Sequence, residues 1–429
     1  MNIRKIVKKV IPKNVFRSIE PLGHGAEAIM WNLRYGFPAR GLKVIGVTGT
    51  NGKTTTSFMI HRMLHEAGYK VGLMTTVAYG AGDDIQPQIA HMTTLSSKQL
   101  LERVIKLKKQ GIEWLVLETT SHALAQHRVL GVPYSIAVMT NVTHEHLDYH
   151  GTFKRYLAAK VKLFRLANRH GARVGIVNAE DPNAKAFMDA VKHPITYGVD
   201  LGDVRASEVQ LTPAGSSYTA KLGGKQVRVN CHIPGRFNIY NSLAAAVTGH
   251  VVGLTAEQIH NGIDALQGVE GRMTRVDEGQ PFDVIVDFAH TPDSFEKLFK
   301  DLKPVVKGKL IVLFGSAGRR DEAKRAIQGE LAGRYADEVV ITEEDDRDID
   351  GLQIMDEIAA GAEKAGKTRD KDLFLVHDRT EAITFAVKRA TAGDTVLLLG
   401  KGHEKTIERA DGEHPWDEIG TTKAAIRKL

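Results

Sequence analysis

The sequence predicts an α/β protein in which helices cover mostly parallel sheets. From Gly41 onward, short apolar runs alternate with stretches of helical periodicity, a pattern typical of strand–helix–strand units. Between 206 and 232 the pattern changes to short alternating stretches broken by Pro213 and three glycines, which predicts antiparallel hairpins at a sheet edge. Strand–helix alternation resumes near 283. The chain therefore predicts two successive α/β domains.

The elements follow in order along the chain. The predicted strands are apolar runs of four to six residues, as buried parallel strands require: 43–48, 112–117, 136–140, 173–178, 283–288, 310–314, 338–342, 373–376 and 395–399. The clearest helical patterns cover 54–67, 121–130, 153–166, 241–252 and 256–266. We place the domain boundary after 267, so that a short basic segment (1–41) precedes a central domain (42–267) and a C-terminal domain (268–429).

Composition excludes several classes of protein. The 429 residues are 42% hydrophobic and 25% charged, as in ordinary globular domains, which excludes intrinsic disorder. The single cysteine, Cys231, cannot form an internal disulfide, and no stretch has the roughly 18 apolar residues of a membrane span. We expect a cytoplasmic monomer. The net charge of +7 comes mostly from the N-terminal tail, so the nearly neutral remainder argues against nucleic-acid binding.

The tail, residues 1–17, leaves two interpretations open. It contains six basic residues and no acid: Arg4, Lys5, Lys8, Lys9, Lys13 and Arg17. Five apolar residues between Ile3 and Ile11 fall at helical spacing, and Pro12 ends the pattern. One interpretation is a terminal helix packed on the body of the protein. The other is weak contact with an anionic membrane surface.

A phosphate-binding loop follows the first strand of the central domain. Residues 48–55 read Thr-Gly-Thr-Asn-Gly-Lys-Thr-Thr between an apolar strand and a helical pattern, the context of a P-loop ATPase. Val47 stands where the generic motif has its first glycine, so this is a shorter variant of the loop. Since the chain has no Asn-Lys-x-Asp segment, ATP is favoured over GTP. The predicted nucleotide contacts are Gly49, Thr50, Asn51, Gly52, Lys53, Thr54 and Thr55.

Oxygen and nitrogen ligands follow the next two strands. Glu118 ends one strand and His146 follows the other, and the carboxyl ends of parallel strands share one edge of a sheet. A zinc site is disfavoured, because Asp148 stands where a His-Glu-x-x-His motif has its second histidine. We predict Mg²⁺ held by Thr54 and Glu118, with His146 at a second ion. We take His144 and His150 as polar loop residues.

Together these motifs resemble the Mur ligase family, specifically its members that add the third residue to a UDP-muramoyl dipeptide. The matching segments are 49–55, 118–122, 141–151, 156–160, 234–238, 271–273, 287–293 and 400–404. The resemblance implies a P-loop ATPase central domain and a Rossmann-like C-terminal domain. It also implies an amide-bond ligase in peptidoglycan precursor synthesis. In such a ligase ATP phosphorylates an acceptor carboxylate, and an amine then attacks the acyl phosphate.

The resemblance assigns further residues to sites. It implies two Mg²⁺ ions, and a carbamate on Lys160 that supports the second ion beside His146. Lys53, Glu118, His146 and Lys160 are the implied catalytic residues. Additional nucleotide contacts are implied at Asn238, Asn241, Arg272, His290 and Lys324. Acceptor contacts are implied at Thr93, Thr94, Ser121, Gln126 and Arg128. Contacts to the incoming amino acid are implied at Arg320, Asp345, Asp346, Arg347, Gly400 and Glu404.

Two departures from the family leave questions open. Only forty-eight residues precede Gly49, whereas the family usually has about a hundred that form a uridine-diphosphate-binding domain. The family's diaminopimelate motif Asp-Asn-Pro-Arg is replaced by Glu344-Asp345-Asp346-Arg347. We rank meso-diaminopimelate before lysine as the amine. The alternatives are another ligase of the superfamily, with a polyglutamate, lipid-linked or pseudomurein-type acceptor, or a non-catalytic nucleotide-binding regulator.

Overall fold

The computed structural model describes residues 13–88, 93–143, 145–212 and 214–429, and it confirms the α/β prediction. Contacts between Cα atoms divide the chain into two compact units. The first consists of the described residues within 1–209 together with 217–230 and 239–266, and the second of the described residues within 210–216 together with 231–238 and 267–429. The predicted domain bounds 1–41, 42–267 and 268–429 stay predictions.

The first unit is built on an eleven-stranded sheet in the order β11-β10-β9-β8-β7-β6-β1-β5-β2-β3-β4. Its strands are β1 Lys43–Thr48, β2 Val71–Met74, β3 Ala78–Ala81, β4 Asp84–Pro87, β5 Trp114–Glu118, β6 Tyr134–Met139, β7 Val174–Asn178, β8 His193–Gly198, β9 Val204–Thr212, β10 Gly215–Leu222 and β11 Lys225–Cys231. The pairs from β2 through β5, β1, β6, β7 and β8 to β9 are parallel. At the other edge β2, β3 and β4 pair antiparallel, an edge that the sequence analysis did not predict.

Helices precede, connect and follow the strands of this sheet. They are α1 Lys13–Arg34, α2 Lys53–Glu66, α3 Ser97–Lys109, α4 Ser121–Ala125, α5 Leu147–His150, α6 Phe153–Ala167, α7 Ala184–Met188, α8 Phe237–Val252 and α9 Ala256–Asp264. The central strands β1, β5 and β6 are buried on both faces, which is why they appear in the sequence as continuous apolar runs. The predicted helix 121–130 is wrong beyond Ala125, where the chain continues as turns.

The second unit has a six-stranded sheet in the order β12-β13-β17-β14-β15-β16. Its strands are β12 Thr274–Arg275, β13 Asp283–Asp287, β14 Leu310–Phe314, β15 Glu338–Ile341, β16 Leu373–Leu375 and β17 Thr395–Leu399, and β18 Thr406–Arg409 pairs separately with β19 Gly412–Pro415. All pairs in the larger sheet except β12 with β13 are parallel. The helices are α10 Pro292–Leu302, α11 Ala323–Tyr335, α12 Gly351–Lys364, α13 Arg379–Arg389 and α14 Glu418–Ile426, with a 3₁₀ turn at Lys303–Val305.

Both interpretations of the N-terminal tail concern residues that lie mostly outside the described part of the chain. Residues 1–12 lie outside the described part, and α1 begins at Lys13. Among the described residues, no helix combines the length and apolar character needed to cross a membrane.

A buried ion pair anchors the loop after β15. Arg379 donates to both carboxylate oxygens of Glu418, at 2.9 and 2.6 Å, and neither side chain is exposed to solvent. Its remaining donors reach the backbone carbonyls of Glu343 (3.1 Å) and Leu399 (2.8 Å). One side chain therefore fixes the ends of two parallel strands, β15 and β17, at the edge where ligands bind in such sheets.

We predict that Arg379→Met lowers the free energy of unfolding by about 3–5 kcal/mol, because Glu418 is left buried without its cation. The control is Arg369→Met, which removes exposed ion pairs with Glu363 and Asp356 and should cost below about 1 kcal/mol. Urea denaturation of both variants measures the difference, and equal losses would contradict this role for Arg379.

Candidate nucleotide and metal site

Two glycines shape the loop between β1 and α2. A Cβ on Gly49 would lie 1.9 Å from Thr140 Oγ1, and one on Gly52 would lie 2.2 Å from Asn241 Oδ1. Gly52 also has φ of 83°, a conformation that other residues rarely adopt. The chain can pass this close to its neighbours only without side chains at these positions. As a result, backbone N–H groups at the start of α2 are available to a phosphate.

The segment after β6 holds the loop in place. The Thr50 N–H donates to Asn141 O at 2.7 Å, and the Asn51 N–H donates to Asn141 Oδ1 at 3.0 Å. Thr140 Oγ1 donates to Asn51 O at 2.6 Å, and Lys53 Nζ donates to Thr50 O at 2.7 Å. The loop is therefore preorganised by the neighbouring strand, with the Lys53 ammonium at its mouth.

Glu118 lies beneath this loop and is 1% exposed. Its Oε2 accepts from Thr54 Oγ1 and from the Thr76 N–H, both at 3.0 Å, and its Oε1 accepts from Thr76 Oγ1 at 3.1 Å. A carboxylate and a hydroxyl at the start of a phosphate-binding helix form the oxygen donor set that suits Mg²⁺. The structure thus brings the predicted pair of Thr54 and Glu118 into hydrogen-bond contact.

Lys160 is almost completely buried beside the same loop. It comes from α6, is 2% exposed, and donates from Nζ to the Gly49 carbonyl. Its Nζ lies 4.6 Å from the centre of the Tyr156 ring. Burial lowers the pKa of Lys160 well below its usual value, and the Lys53 charge lowers it further, while Glu145 and Glu118 oppose the shift. Burial thus disfavours the ammonium form of Lys160, and a neutral amine is the form that reacts with carbon dioxide, so the position is chemically compatible with a carbamate.

Histidine and tyrosine rings line the adjacent wall. The His146 ring is 4.7 Å from the His122 ring and 6.1 Å from the Tyr156 ring. His146 is 43% exposed, and its Nε2 lies 3.6 Å from Glu145 Oε2. Both predicted second-ion residues, His146 and Lys160, thus lie against the Tyr156 ring.

Our assignment of His150 as a polar loop residue is wrong. It ends α5, is buried, and hydrogen-bonds through Nε2 with Ser121 Oγ at 3.1 Å. The short helix turns its ring inward, toward Tyr156 at 5.3 Å, rather than toward solvent. His144 lies outside the described residues.

Three of the five predicted acceptor residues, Thr94, Gln126 and Arg128, form one hydrogen-bonded network. Thr94 Oγ1 donates to Glu118 O at 3.1 Å, and Thr94 O accepts from Arg128 Nη1 at 2.9 Å. Arg128 Nε donates to Gln126 Oε1 at 2.7 Å. Thr93 is partly buried just before Thr94. The network is therefore connected to the strand that supplies Glu118.

In the second unit, three predicted nucleotide residues gather around Phe288. The Arg272 guanidinium lies 4.8 Å from the centre of the Phe288 ring, and the His290 ring lies 4.7 Å from it. Lys324 Nζ donates to His290 O at 3.2 Å. The other two predicted residues lie elsewhere: Asn238 donates to Pro234 O at 2.6 Å, and Asn241 lies against Gly52 in the first unit.

The predicted amino-acid residues are only partly brought together. Lys401, 1% exposed, donates to Asp345 Oδ1 at 2.8 Å and to Glu404 Oε2 at 2.7 Å. Burial alone would lower the pKa of Lys401, but the negative charges of Glu404 and Asp345 raise that pKa above its usual value. Asp346 points elsewhere, and its Oδ2 is 3.0 Å from His377 Nε2.

The two arginines of this set differ in their surroundings. Arg347 donates to Glu408 Oε2 at 2.7 Å and to Gly318 O at 2.6 Å. Arg320 is exposed and has no ion pair within the described part of the chain. Neither contacts the Lys401 cluster directly in this structure.

Sequence reasoning missed two residues of these sites. Thr76 clamps Glu118, and it follows β2, a four-residue strand that we did not predict. Ligand-binding residues gather at the carboxyl ends of parallel strands, so Thr76 could have been predicted if β2 had been recognised as a strand.

Glu344, the second missed residue, is buried against Gly400. A Cβ on Gly400 would lie 2.7 Å from Glu344 Oε2, and this oxygen has no hydrogen-bond partner among the described residues. Burial raises the pKa of Glu344.

Comparisons with known proteins show which family this chain resembles. A model of the Mur ligase middle domain matches residues 47–249, and a model of the Mur ligase glutamate ligase domain matches 271–402. The chain is 41% identical over 411 residues to a UDP-N-acetylmuramyl-tripeptide synthetase of Roseiflexus sp. (strain RS-1), covering 92% of this chain and 80% of that protein. It is 37% identical to a UDP-N-acetylmuramoyl-L-alanyl-D-glutamate–2,6-diaminopimelate ligase of Geobacillus thermodenitrificans, covering 99% and 86%.

Solved structures show the same similarity. A UDP-N-acetylmuramoyl-L-alanyl-D-glutamate–2,6-diaminopimelate ligase matches with a TM-score of 0.66 and 30% identity, over 96% of this chain and 83% of that one. Folylpolyglutamate synthase of Mycobacterium tuberculosis matches with a TM-score of 0.71 at 16% identity, over 87% and 91%, a likeness of fold alone.

We predict that Thr76→Val weakens binding of magnesium–ADP roughly tenfold, because Glu118 loses the hydroxyl that orients one oxygen. Thr76→Ser keeps that hydroxyl and serves as the control. Isothermal titration with and without Mg²⁺ checks this. If affinity for ADP falls equally in the absence of Mg²⁺, Thr76 does not act through the metal ligand.

Proposed function

The chain belongs to the Mur ligase family, and from this premise we propose that it adds a diamino acid to a muramoyl-dipeptide-like acceptor with hydrolysis of ATP to ADP. The observation that carries the proposal is the buried Glu118, held by Thr54 and Thr76 beneath the phosphate loop. Relatives named as tripeptide synthetases and diaminopimelate ligases support the substrate class.

The proposed reaction has two steps. An oxygen of the acceptor carboxylate attacks the γ-phosphorus of ATP, the bond to the bridging oxygen breaks, and ADP leaves. The free amine of the amino acid then attacks the acyl carbon, and inorganic phosphate leaves as the amide forms and the amine loses a proton. The Lys53 ammonium at the loop mouth counters the charge that develops on the phosphates.

Two Mg²⁺ ions are part of the proposal. When bound, they neutralise phosphate charge and polarise the transferred group. Thr54 and Glu118 would hold one ion. His146 and Lys160, the latter as a carbamate, would hold the other, and their shared position against Tyr156 supports this pairing. A carbamate would also turn a buried cation into an anion in a place where burial already disfavours the cation.

Acceptor and nucleotide contacts follow from the same premise. Thr93, Thr94, Ser121, Gln126 and Arg128 are proposed for the acceptor, because Thr94 joins that network to the Glu118 strand. Asn238, Asn241, Arg272, His290 and Lys324 are proposed for ATP. We further propose that the chain acts as a monomer in the cytoplasm. Weak membrane contact through residues 1–17 also stays a prediction, since most of that segment lies outside the described residues.

The direct test is ADP release in the presence of the acceptor, the amino acid, both or neither. We expect release only with both, and a product whose mass is the sum of the two substrates minus water. ADP release that does not depend on either substrate would contradict a ligase.

We predict that Lys53→Ala abolishes turnover. The lost charge contributes several kcal/mol of transition-state stabilisation, which corresponds to a rate effect on the order of 10³-fold.

We predict that Lys160→Ala is nearly inactive and that short-chain carboxylates partly restore it, because they replace the anion that a carbamate supplies. Lys162→Ala, which removes a lysine from the same helix, is the control. Initial rates with increasing acetate or propionate measure the rescue. Full activity of Lys160→Ala without an added carboxylate would refute the carbamate.

The amine specificity rests on the charges of the second unit. Buried Glu344 and the carboxylates of Asp345 and Glu404, which share one cation in Lys401, favour an ammonium. Arg347 and Arg320 instead favour carboxylates through bidentate contacts. The distal end of meso-diaminopimelate carries both groups, and that of lysine carries only the ammonium. We therefore rank meso-diaminopimelate first and lysine second.

Competition between the two amines at equal concentration tests this ranking. We expect the diaminopimelate product to dominate, and Arg347→Ala to reduce that preference by roughly tenfold as a carboxylate contact is lost. Arg369→Ala, an exposed arginine of the same unit, is the control. Dominance of lysine in the parent enzyme, with selectivity unchanged in Arg347→Ala, would show that the assignment is wrong.

A further inference from the structure

A cavity of about 510 Å³ lies in the first unit beside the proposed acceptor network. It is lined by Tyr79 of β3, by Leu95, and by residues of α3 that include Glu102, Arg103 and Lys106. Leu95 directly follows Thr94, which joins the acceptor network to Glu118. The cavity therefore begins where the residues proposed for the acceptor end.

Arg103 is unusual among the cations of this unit. Its guanidinium is partly buried and stacks on the Tyr79 ring at 3.7 Å. Its hydrogen-bond partner is the neutral amide oxygen of Gln88, and no carboxylate pairs with it in the part of the chain that the structure describes. Burial lowers the pKa of Arg103, while its interaction with Tyr79 raises it in part. A partly buried guanidinium with no carboxylate partner can receive an anionic ligand, because its paired N–H groups match the oxygens of a phosphate or carboxylate.

The other charges of the cavity allow an anion to bind. Lys106 is exposed at its rim and adds a second cation. The acid Glu102 is already engaged, since its Oε1 accepts from Tyr35 OH at 3.0 Å and lies 3.8 Å from Lys98 Nζ. The aromatic ring and Leu95 supply an apolar wall, as is common where a ligand joins a charged group to a ring.

We propose that this cavity binds the diphosphate that links the acceptor's sugar to its carrier, with Arg103 and Lys106 as the anion-binding residues. The inference rests on the proposed function, because it takes the acceptor to be a muramoyl peptide. In such an acceptor the carrier diphosphate and the reacting carboxylate lie at opposite ends. The diphosphate therefore requires a subsite of its own, beside the acceptor network and separate from the phosphate loop. The carrier is a nucleoside or a polyprenol, and both present the same diphosphate.

The test compares three acceptors: UDP-linked, polyprenyl-diphosphate-linked and diphosphate-free muramoyl dipeptide. KM is measured for the parent, Arg103→Lys, Lys106→Gln and the control Lys109→Gln, which removes an exposed charge from the same helix. We expect Lys106→Gln and Arg103→Lys to raise KM for a diphosphate-linked acceptor about tenfold more than for the diphosphate-free one, with kcat little changed. Lys109→Gln should leave the ratio unchanged. The linked acceptor that responds identifies the carrier.

An equal effect on all three acceptors, or no effect in either cavity variant, would overturn the proposal. Direct titration with UDP separates this outcome from failure of the proposed function. If no acceptor is ligated but UDP binds the parent and binds Lys106→Gln about tenfold more weakly, the anion site stands while the ligase proposal falls. If UDP and a soluble polyprenyl diphosphate both fail to bind the parent, the site falls.

Discussion

The burial of two ionisable groups at one edge of a parallel sheet is the constraint on which this site depends. Glu118 and Lys160 are both at most 2% exposed, and burying a charge is costly unless it is hydrogen-bonded or neutralised. Glu118 is stabilised by three donors from Thr54 and Thr76. Lys160 instead has a strongly lowered pKa. Glu118 is thereby a carboxylate with fixed orientation, and Lys160 is an amine whose charged form is disfavoured by burial.

The position of these groups follows from strand order. β1 lies between β5 and β6, so the phosphate loop, Glu118 and the segment from Thr140 onward meet at the same carboxyl edge. This much could be predicted from the sequence, because buried parallel strands are continuous apolar runs and the loop has a strict strand–turn–helix context. β1, β14 and β17 have the predicted bounds for the same reason. The family resemblance added Lys160, which its own helix would not have distinguished from a surface lysine.

Other parts of the site could not be predicted, and the reasons are physical. β2 has only four residues, which is too short for its periodicity to indicate a strand. Thr76, whose hydroxyl orients Glu118, follows this strand and was therefore missed. In the segment Glu344-Asp345-Asp346-Arg347, adjacent side chains point in different directions: Asp345 pairs with Lys401, Asp346 with His377, and Glu344 is buried against Gly400. Sequence gives the composition of such a loop, whereas the direction of each side chain depends on partners distant in the chain. His150 was misassigned for the same reason.

In the proposed reaction, the acceptor carboxylate is activated by phosphoryl transfer at this edge of the sheet. The most direct measurement uses an acceptor whose reacting carboxylate carries ¹⁸O in both oxygens, with mass analysis of the phosphate and amide produced. Attack of a carboxylate oxygen on the γ-phosphorus predicts that each phosphate released carries one ¹⁸O atom and that the amide retains the other. Phosphate without label, formed at the same rate as the amide, would contradict the account.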